Sequence, residues 1–258
     1  MPRADIYMSG LFPAGASKTT VRSRVLAPFE SLSLSRGLSA DAGDLYYSAW
    51  ISFLDALHGI EKGLCTWATI KLYYSVFYAL RASLAVNDIC AFHVDRSSYI
   101  VLARAGQSPT SCAERGTHKT VMKTFARQNP GHPLISQQIA LSDAVDWLID
   151  QRESANYRRV RFAEPDCGEG LAHVVKCGVR RSLNGYLAEP SLLYVFDPDH
   201  ALVAYPMRAL QLVGNQLVGA GLIAFSEEEQ VFLRRHSRDR SGGLAVLISE
   251  MKRLTLLN

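Results

Sequence analysis

Apolar side chains recur every three or four residues through most of this chain, which is the spacing of helices that bury one face. The first such run starts after Ser39 or Asp41, and either residue is a suitable N-cap. The run stops before Gly59 and Gly63, where two nearby glycines favour a break. The pattern predicts a helix over residues 39–57.

The next run, over residues 66–87, is apolar almost all the way round, and Lys71 and Arg81 are its only charged residues. A helix of this kind is buried on several sides, either at the centre of a bundle or against a partner chain.

The rest of the chain predicts more helices and little β structure. Residues 1–38 have weak periodicity and are predicted to be irregular. Residues 89–103 fit a short strand or an irregular crossover equally well, and residues 194–206 predict two strands around an Asp-Pro-Asp turn. Further helices are predicted over residues 117–128, 134–156, 169–187, 207–218, 226–238 and 243–256.

These elements predict a mainly α protein with three parts. An N-terminal irregular segment covers residues 1–38 and a helical bundle covers residues 39–165. A helical C-terminal extension, residues 166–258, contains the small β-hairpin and packs on the bundle.

Composition excludes a disordered chain, because 48% of the 258 residues are apolar and only 20% are charged. A net charge of +4 is compatible with nucleic acid as a partner but does not require it. The longest uncharged run, residues 209–226, contains several amides and glycines, so we expect a buried helix there and no membrane span. The N-terminus lacks the apolar region of a secretory signal, and a cytoplasmic protein is expected.

The cysteines have no spacing that predicts a disulfide framework or a metal site, and they are odd in number. We therefore expect unbonded thiols in a reducing compartment, and neither a metal nor a cofactor. The five are Cys65, Cys90, Cys112, Cys167 and Cys177.

Common catalytic signatures are missing, including GxSxG, HExxH and a GxGxxG that follows a strand. Asp197, Asp199 and His200 resemble metal ligands, but their place around a proline predicts turn chemistry instead.

One side chain, Arg152, suggests a functional site. In the predicted helix over residues 134–156, Leu141, Val145 and Leu148 form an apolar stripe, and Arg152 is its next position. A guanidinium there costs several kcal/mol unless it is paired or faces a polar cavity. Alternatively, Arg152 lies at the helix C-terminus, reaches solvent and satisfies the last carbonyls.

Two segments around this position resemble the HEPN family. The helix with IKLYYSVFYALRASLA and the later helix ending LIDQRESANYR are similar to prokaryotic HEPN-type proteins whose last helix ends in Arg followed by a small residue, Asp or Asn, and Tyr. The resemblance covers residues 40–162.

The resemblance implies a helical bundle that dimerises through its central helices. Many relatives are metal-independent ribonucleases of toxin–antitoxin, abortive-infection or antiviral systems, with an Arg, four to six residues and then a His. Arg152 takes the Arg position here, whereas Tyr157 stands where the His is expected. A phenol with a pKa near 10 is a poor general base at neutral pH.

Three functions remain open. The chain is a dimeric component of a defence or stress-response system that binds RNA, a nucleotide or a partner protein of the same system near Arg152. It is alternatively an active metal-independent endoribonuclease, or a purely structural scaffold subunit. The candidate catalytic residues are Arg152, Asn156 and Tyr157, and the candidate RNA-contacting residues are Arg158, Arg159, Arg161, Lys71 and Tyr74.

Overall fold

The computed structural model describes residues 1–158, 160–223, 225–239 and 242–257. These residues are mainly helical, which confirms the predicted α class. Their α-helices are α1 (Arg3–Gly10), α2 (Lys18–Ser23), α3 (Pro28–Glu61), α4 (Cys65–Val86), α5 (Thr117–Gln128), α6 (Ala144–Glu153), α7 (Glu169–Cys177), α8 (Val179–Ala188), α9 (Leu193–Phe196), α10 (Ala201–Gly219), α11 (Glu227–His236) and α12 (Ala245–Arg253).

The described β structure is limited to three small antiparallel sheets. The region left open between strand and crossover is a hairpin, β1 (Ile89–Val94) with β2 (Ser97–Leu102), which β3 (Thr110–Ser111) extends in the order β1-β2-β3. Two short ladders pair β4 (Gln138–Ile139) with β5 (Ser142–Asp143), and β6 (Arg238–Asp239) with β7 (Gly242–Gly243).

Helices α3 and α4 form the centre of the fold as a helical hairpin with a short connection. Helix α4 begins and ends within one residue of its predicted bounds, and it contacts α3, α5, α6, α10 and β1. Other elements of the same chain therefore bury the apolar residues of α4 over most of the helix surface. The described helices are not long and apolar enough to cross a membrane.

The prediction that residues 1–38 are irregular is wrong. This segment contains α1, α2 and the first turns of α3, which begins at Pro28, well before Ser39. Proline at the first helical position and Glu30, whose carboxylate accepts from the Ala27 N–H at 2.8 Å, provide the start signal. The carboxylate of Asp41 caps α1 by accepting from the N–H groups of Arg3 and Ala4.

The prediction of one long helix over residues 134–156 is also wrong. Only α6 is α-helical there, and the β4–β5 ladder precedes it. Ala140 and Leu141 have positive φ, and Leu141 is 93% exposed, so it does not belong to a buried stripe. Val145 and Leu148 are buried as expected, and Arg152 follows them one turn later.

The C-terminal extension has no hairpin at residues 194–206. A turn at Asp197 joins α9 to α10 instead, because the Asp197 carbonyl accepts from the N–H groups of His200 and Ala201. The apolar run in residues 194–206 fits strands, but it fits a helix that is buried on several sides equally well. The helix is what the structure shows, and α10 packs on both α3 and α4. The helix predicted over residues 169–187 is divided into α7 and α8 at Gly178, whose φ is +87°.

The expectation that all cysteines are unbonded is wrong for one pair. Cys65 and Cys167 form a disulfide between residues 102 positions apart, whereas Cys90, Cys112 and Cys177 are free. Residues so distant in sequence give no spacing signal, because only the fold brings them together.

We predict that Gly214→Ala destabilises the fold, because α10 crosses α3 at this glycine. A Cβ at residue 214 would overlap with the hydroxyl of Tyr46, which is fully buried and donates to the Leu210 carbonyl at 2.7 Å. Overpacking of this kind costs about 1–3 kcal/mol. Chemical denaturation measures the change in unfolding free energy.

Gly219→Ala is the matched control in the same helix, because its Cβ meets no atom within 4 Å. We expect this variant to be neutral or slightly more stable, since alanine is the better helix former. Equal stability of the two variants would contradict the assigned contact between α10 and α3.

Candidate functional site

Arg152, at the end of α6, lies against two tyrosine rings. Its guanidinium carbon is 5.6 Å from the ring centre of Tyr73 on α4 and 5.2 Å from that of Tyr157. Its Nη2 donates to the Tyr157 hydroxyl at 3.4 Å, a long hydrogen bond. The arginine and the tyrosine that the sequence motif pairs are therefore neighbours.

A π-helical turn, Ser154–Arg158, brings Tyr157 to Arg152. In an α-helix, residues five positions apart point about 140° away from each other. A π turn, which has i→i+5 hydrogen bonds, places residues five apart on the same side. Such turns are frequent at functional sites, because the extra residue redirects a side chain.

The Arg152 guanidinium has few polar partners. No carboxylate of the described residues lies within 4 Å of it, and its Nε is buried with no hydrogen-bond partner. The neighbouring acid Glu153 instead pairs with Lys119 at 3.0 Å. A half-buried guanidinium without a carboxylate partner is suited to an anionic acceptor such as a phosphate.

His118, near the start of α5, completes the group around Arg152. Its ring stacks on Phe77 with 4.3 Å between ring centres, and it lies 5.7 Å from Tyr73 and 5.1 Å from Tyr74. Its Nδ1 is buried without a partner. Tyr73 thus contacts both the histidine ring and the guanidinium.

The environment of His118 lowers its pKa to about 4. Burial among aromatic rings disfavours the imidazolium most, and the positive charges of Arg152 and Arg81 add to this effect. The imidazole is therefore neutral at pH 7, with a free lone pair on one ring nitrogen.

A cleft of about 640 Å³ opens beside this group. One wall consists of Tyr74, Phe77, Tyr78 and Arg81 from α4 together with His118. The cleft is also lined by charged residues of α1 and α3, where Arg3 pairs with Asp41 and Asp44. The aromatic wall offers flat apolar surface next to hydrogen-bonding groups.

Two of the predicted RNA-contacting residues have their charges compensated within the fold. Lys71 pairs with Asp55 on α3 at 2.6 Å. Arg158 pairs with Asp150 at 2.7 Å. Each would have to give up a carboxylate in order to bind a phosphate.

The other predicted residues are placed as follows. Tyr74 lines the cleft and contacts His118. Asn156 is half-buried in the π turn, with no hydrogen bond to Arg152 or Tyr157. Arg161 is exposed in the segment that follows, whereas Arg159 lies outside the described residues.

His118 and Tyr73 are members of the site that the sequence does not predict. His118 is 34 positions before Arg152 and belongs to another helix, so no motif joins the two residues. The only sequence signal for Tyr73 is its position on the apolar face of the helix next to Tyr74. A residue that serves only the core has the same signal.

The described residues include no group of three or more His, Cys, Asp and Glu placed to hold a metal ion. The nearest arrangement is on α7, where the Cys177 thiol is 3.4 Å from His173 Nε2. The Arg152 group itself offers donors and one neutral imidazole, which suit an anion.

Comparison of the chain with models of known protein families, with curated proteins and with solved structures gives no significant match. The HEPN resemblance accordingly rests on the residues quoted for it.

We predict that His118 remains neutral well below the pH at which a free histidine, with a pKa near 6.5, is protonated. Between that value and its folded pKa of about 4, only the unfolded chain takes up the proton. The unfolding free energy is therefore unaffected above pH 6.5, falls progressively as pH drops from 6.5 through 4, and loses nothing more from this group at lower pH. Imidazole proton shifts in an NMR titration measure the pKa.

Arg152→Ala should raise this pKa, because it removes one of the positive charges that lower it. Arg96→Ala, at an exposed position of the β1–β2 turn, is the matched control and should leave it unchanged. A wild-type His118 that titrates near 6.5 would refute the described burial.

Proposed function

We propose that the protein is a dimeric HEPN-like component of a prokaryotic antiviral or stress-response system that binds RNA at Arg152. The observation that carries the proposal is the half-buried guanidinium, which has no carboxylate partner among the described residues. A phosphate of the RNA backbone would supply the missing negative charge and acceptor oxygens.

RNA is favoured over other anions by the aromatic side chains around Arg152. Tyr157 is 67% exposed, and Tyr74 and Tyr78 line the adjacent cleft. Unpaired bases stack on such rings with about 1–3 kcal/mol per base. Arg161 adds an exposed charge in the segment after the π turn.

We predict that Arg152→Ala weakens binding of a labelled single-stranded RNA about 10- to 100-fold, because hydrogen bonds to charged groups contribute about 1.5–3 kcal/mol. Arg152→Lys keeps the charge but loses the planar donor fork, so it should restore affinity only in part. Fluorescence anisotropy at several salt concentrations measures the affinity, and the salt dependence should become weaker in the alanine variant.

Arg96→Ala again serves as the control, since it removes an equal charge at an exposed turn. An equal loss in both variants would indicate net charge alone. If Arg152→Ala changes stability and leaves RNA affinity intact, the residue is structural and the scaffold hypothesis replaces this one. Light scattering of the purified chain tests the proposed homodimer.

His118 favours a second candidate function, metal-independent cleavage of RNA. In this mechanism neutral His118 accepts the proton of the 2′-hydroxyl, whose oxygen attacks the adjacent phosphorus. Arg152 stabilises the charge that develops on the phosphate oxygens, and Tyr157 donates a proton to the departing 5′-oxygen. The products carry a 2′,3′-cyclic phosphate and a 5′-hydroxyl. A base with a pKa of about 4 is weak at neutral pH, so binding remains our first proposal.

If cleavage occurs, it should persist in EDTA and fall about 100-fold or more in His118→Gln, because a positioned base contributes about 10²–10⁴-fold. Gel analysis of labelled RNA measures the rate, and a substrate with 2′-deoxyribose at the cut position should stay intact. Cleavage by His118→Gln at the wild-type rate would exclude this mechanism.

A further inference from the structure

The segment over residues 160–167, which follows the π turn, is attached to one place on the body of the fold. The Ala163 N–H donates to Thr66 Oγ1 at 3.3 Å, and the carboxylate of Glu164 accepts from the N–H and the hydroxyl of Thr66, each at 2.7 Å. Phe162 packs edge-on against Trp67, with 5.8 Å between ring centres. The disulfide from Cys167 to Cys65 is the covalent part of the same attachment.

All these contacts are made by the first turn of α4, at residues 65–67. The remainder of the segment faces solvent, since Arg161, Pro165 and Asp166 are exposed. Of these contacts between the segment and α4, the disulfide is therefore the one that local fluctuations do not break.

The two sulfurs differ in access. Both cysteines line a cleft of about 620 Å³, but Cys65 is only 2% exposed, whereas Cys167 is half-buried. Gly168, the next residue, lines the same cleft, and a Cβ placed there would meet no atom within 4 Å. An external thiolate can reach the Cys167 sulfur, and attack there makes Cys65 the leaving group.

We propose that Cys65–Cys167 is a thiol-exchange site, opened by a small dithiol and closed by its disulfide, which sets how firmly residues 160–167 are held beside Arg152. The inference that this controls RNA affinity rests on the proposed function.

The exchange proceeds in two steps. A thiolate of the dithiol forms a bond to Cys167 sulfur, and the Cys167–Cys65 bond breaks to release the Cys65 thiolate. The second thiol of the reductant then attacks its own sulfur in the mixed disulfide and releases Cys167. The dithiol is oxidised to a cyclic disulfide by two electrons, and its two protons pass to the cysteines.

Opening the disulfide should loosen the segment that carries Arg161 and continues from Tyr157. Ordering of a loop on binding lowers affinity by the entropy that is lost. The reduced protein should therefore bind RNA more weakly than the oxidised protein, even though no side chain of the Arg152 group has changed.

Dithiothreitol is the probe for a test on the wild-type chain. Alkylation under denaturing conditions should label three cysteines before reduction and all five afterwards, since three are free. Hydrogen exchange should then become at least about tenfold faster at the amides of Ala163 and Asp166, which donate hydrogen bonds, and stay unchanged in the β1–β2 hairpin. Reoxidation should reverse the change.

Cys167→Ser should reproduce the reduced state without dithiothreitol, and Cys112→Ser, which removes a free thiol, is the matched control. RNA affinity should fall about threefold to tenfold in the reduced protein and in Cys167→Ser, and not in Cys112→Ser.

Labelling of all five cysteines before reduction would show that the disulfide is absent and would overturn the proposal. Hydrogen exchange in residues 160–167 that does not change on reduction would also overturn it. Faster exchange with unchanged RNA affinity would overturn its control of the Arg152 site. If neither form binds RNA while exchange still responds, the proposed function fails and the thiol-exchange site stands.

Discussion

The packing of α4 is the constraint on which the rest of the structure depends. Neighbours on α3, α10, α5 and α6 cover most of this helix, so only a narrow part of its surface remains for other roles. Tyr73 and Phe77 are buried at that boundary, whereas Tyr74 and Tyr78 are partly open. Because α5 and α6 both pack on α4, His118 and Arg152 both contact the Tyr73 ring although they come from different helices. The site is a consequence of core packing, and its aromatic walls belong to the core.

The placement of Arg152 has an energetic cost that its tyrosine contacts offset only in part. A guanidinium over an aromatic face gains about 0.5–2 kcal/mol, depending on how far it is desolvated. A buried polar group without a hydrogen bond costs about 1–3 kcal/mol, and more where charge is involved. The buried Nε therefore leaves a cost that the tyrosine contacts do not remove, and an anion at the accessible part of the guanidinium would compensate its charge. Arg81, which is paired with Asp5, shows the ordinary way in which this fold stabilises a half-buried arginine.

The sequence predicts elements whose apolar residues repeat with a regular spacing. It does not predict contacts that only the tertiary structure creates. The bounds of α4 follow from an unbroken apolar run between polar ends. The start of α11 follows from Ser226 and Glu229, which form both hydrogen bonds of a capping box. Leu141 fits the spacing of a helix, but its positive φ depends on the β4–β5 turn and not on its own type. Arg152 and Tyr157 belong to one local motif, which is why the sequence predicts them as a pair. The placement of Arg152 and His118 against the same Tyr73 ring and the bond of Cys65 to Cys167 join distant elements, and no local pattern contains them.

The two proposed functions, binding and cleavage of RNA, would be linked through the proton affinity of His118. Its pKa is low because burial and two arginine charges oppose protonation. A phosphate bound to Arg152 would compensate one of these charges and return the pKa of the imidazole toward its ordinary value, and a tenfold change in proton affinity corresponds to about 1.4 kcal/mol. Linkage is reciprocal, so protonation of His118 must strengthen anion binding by the same free energy. The protein alone keeps its histidine neutral, and a bound anion makes the histidine a stronger base. If the proposed RNA site is correct, a suitably placed 2′-hydroxyl would therefore be enough to make it a slow ribonuclease, and the geometry of the bound strand would decide between the two proposed functions.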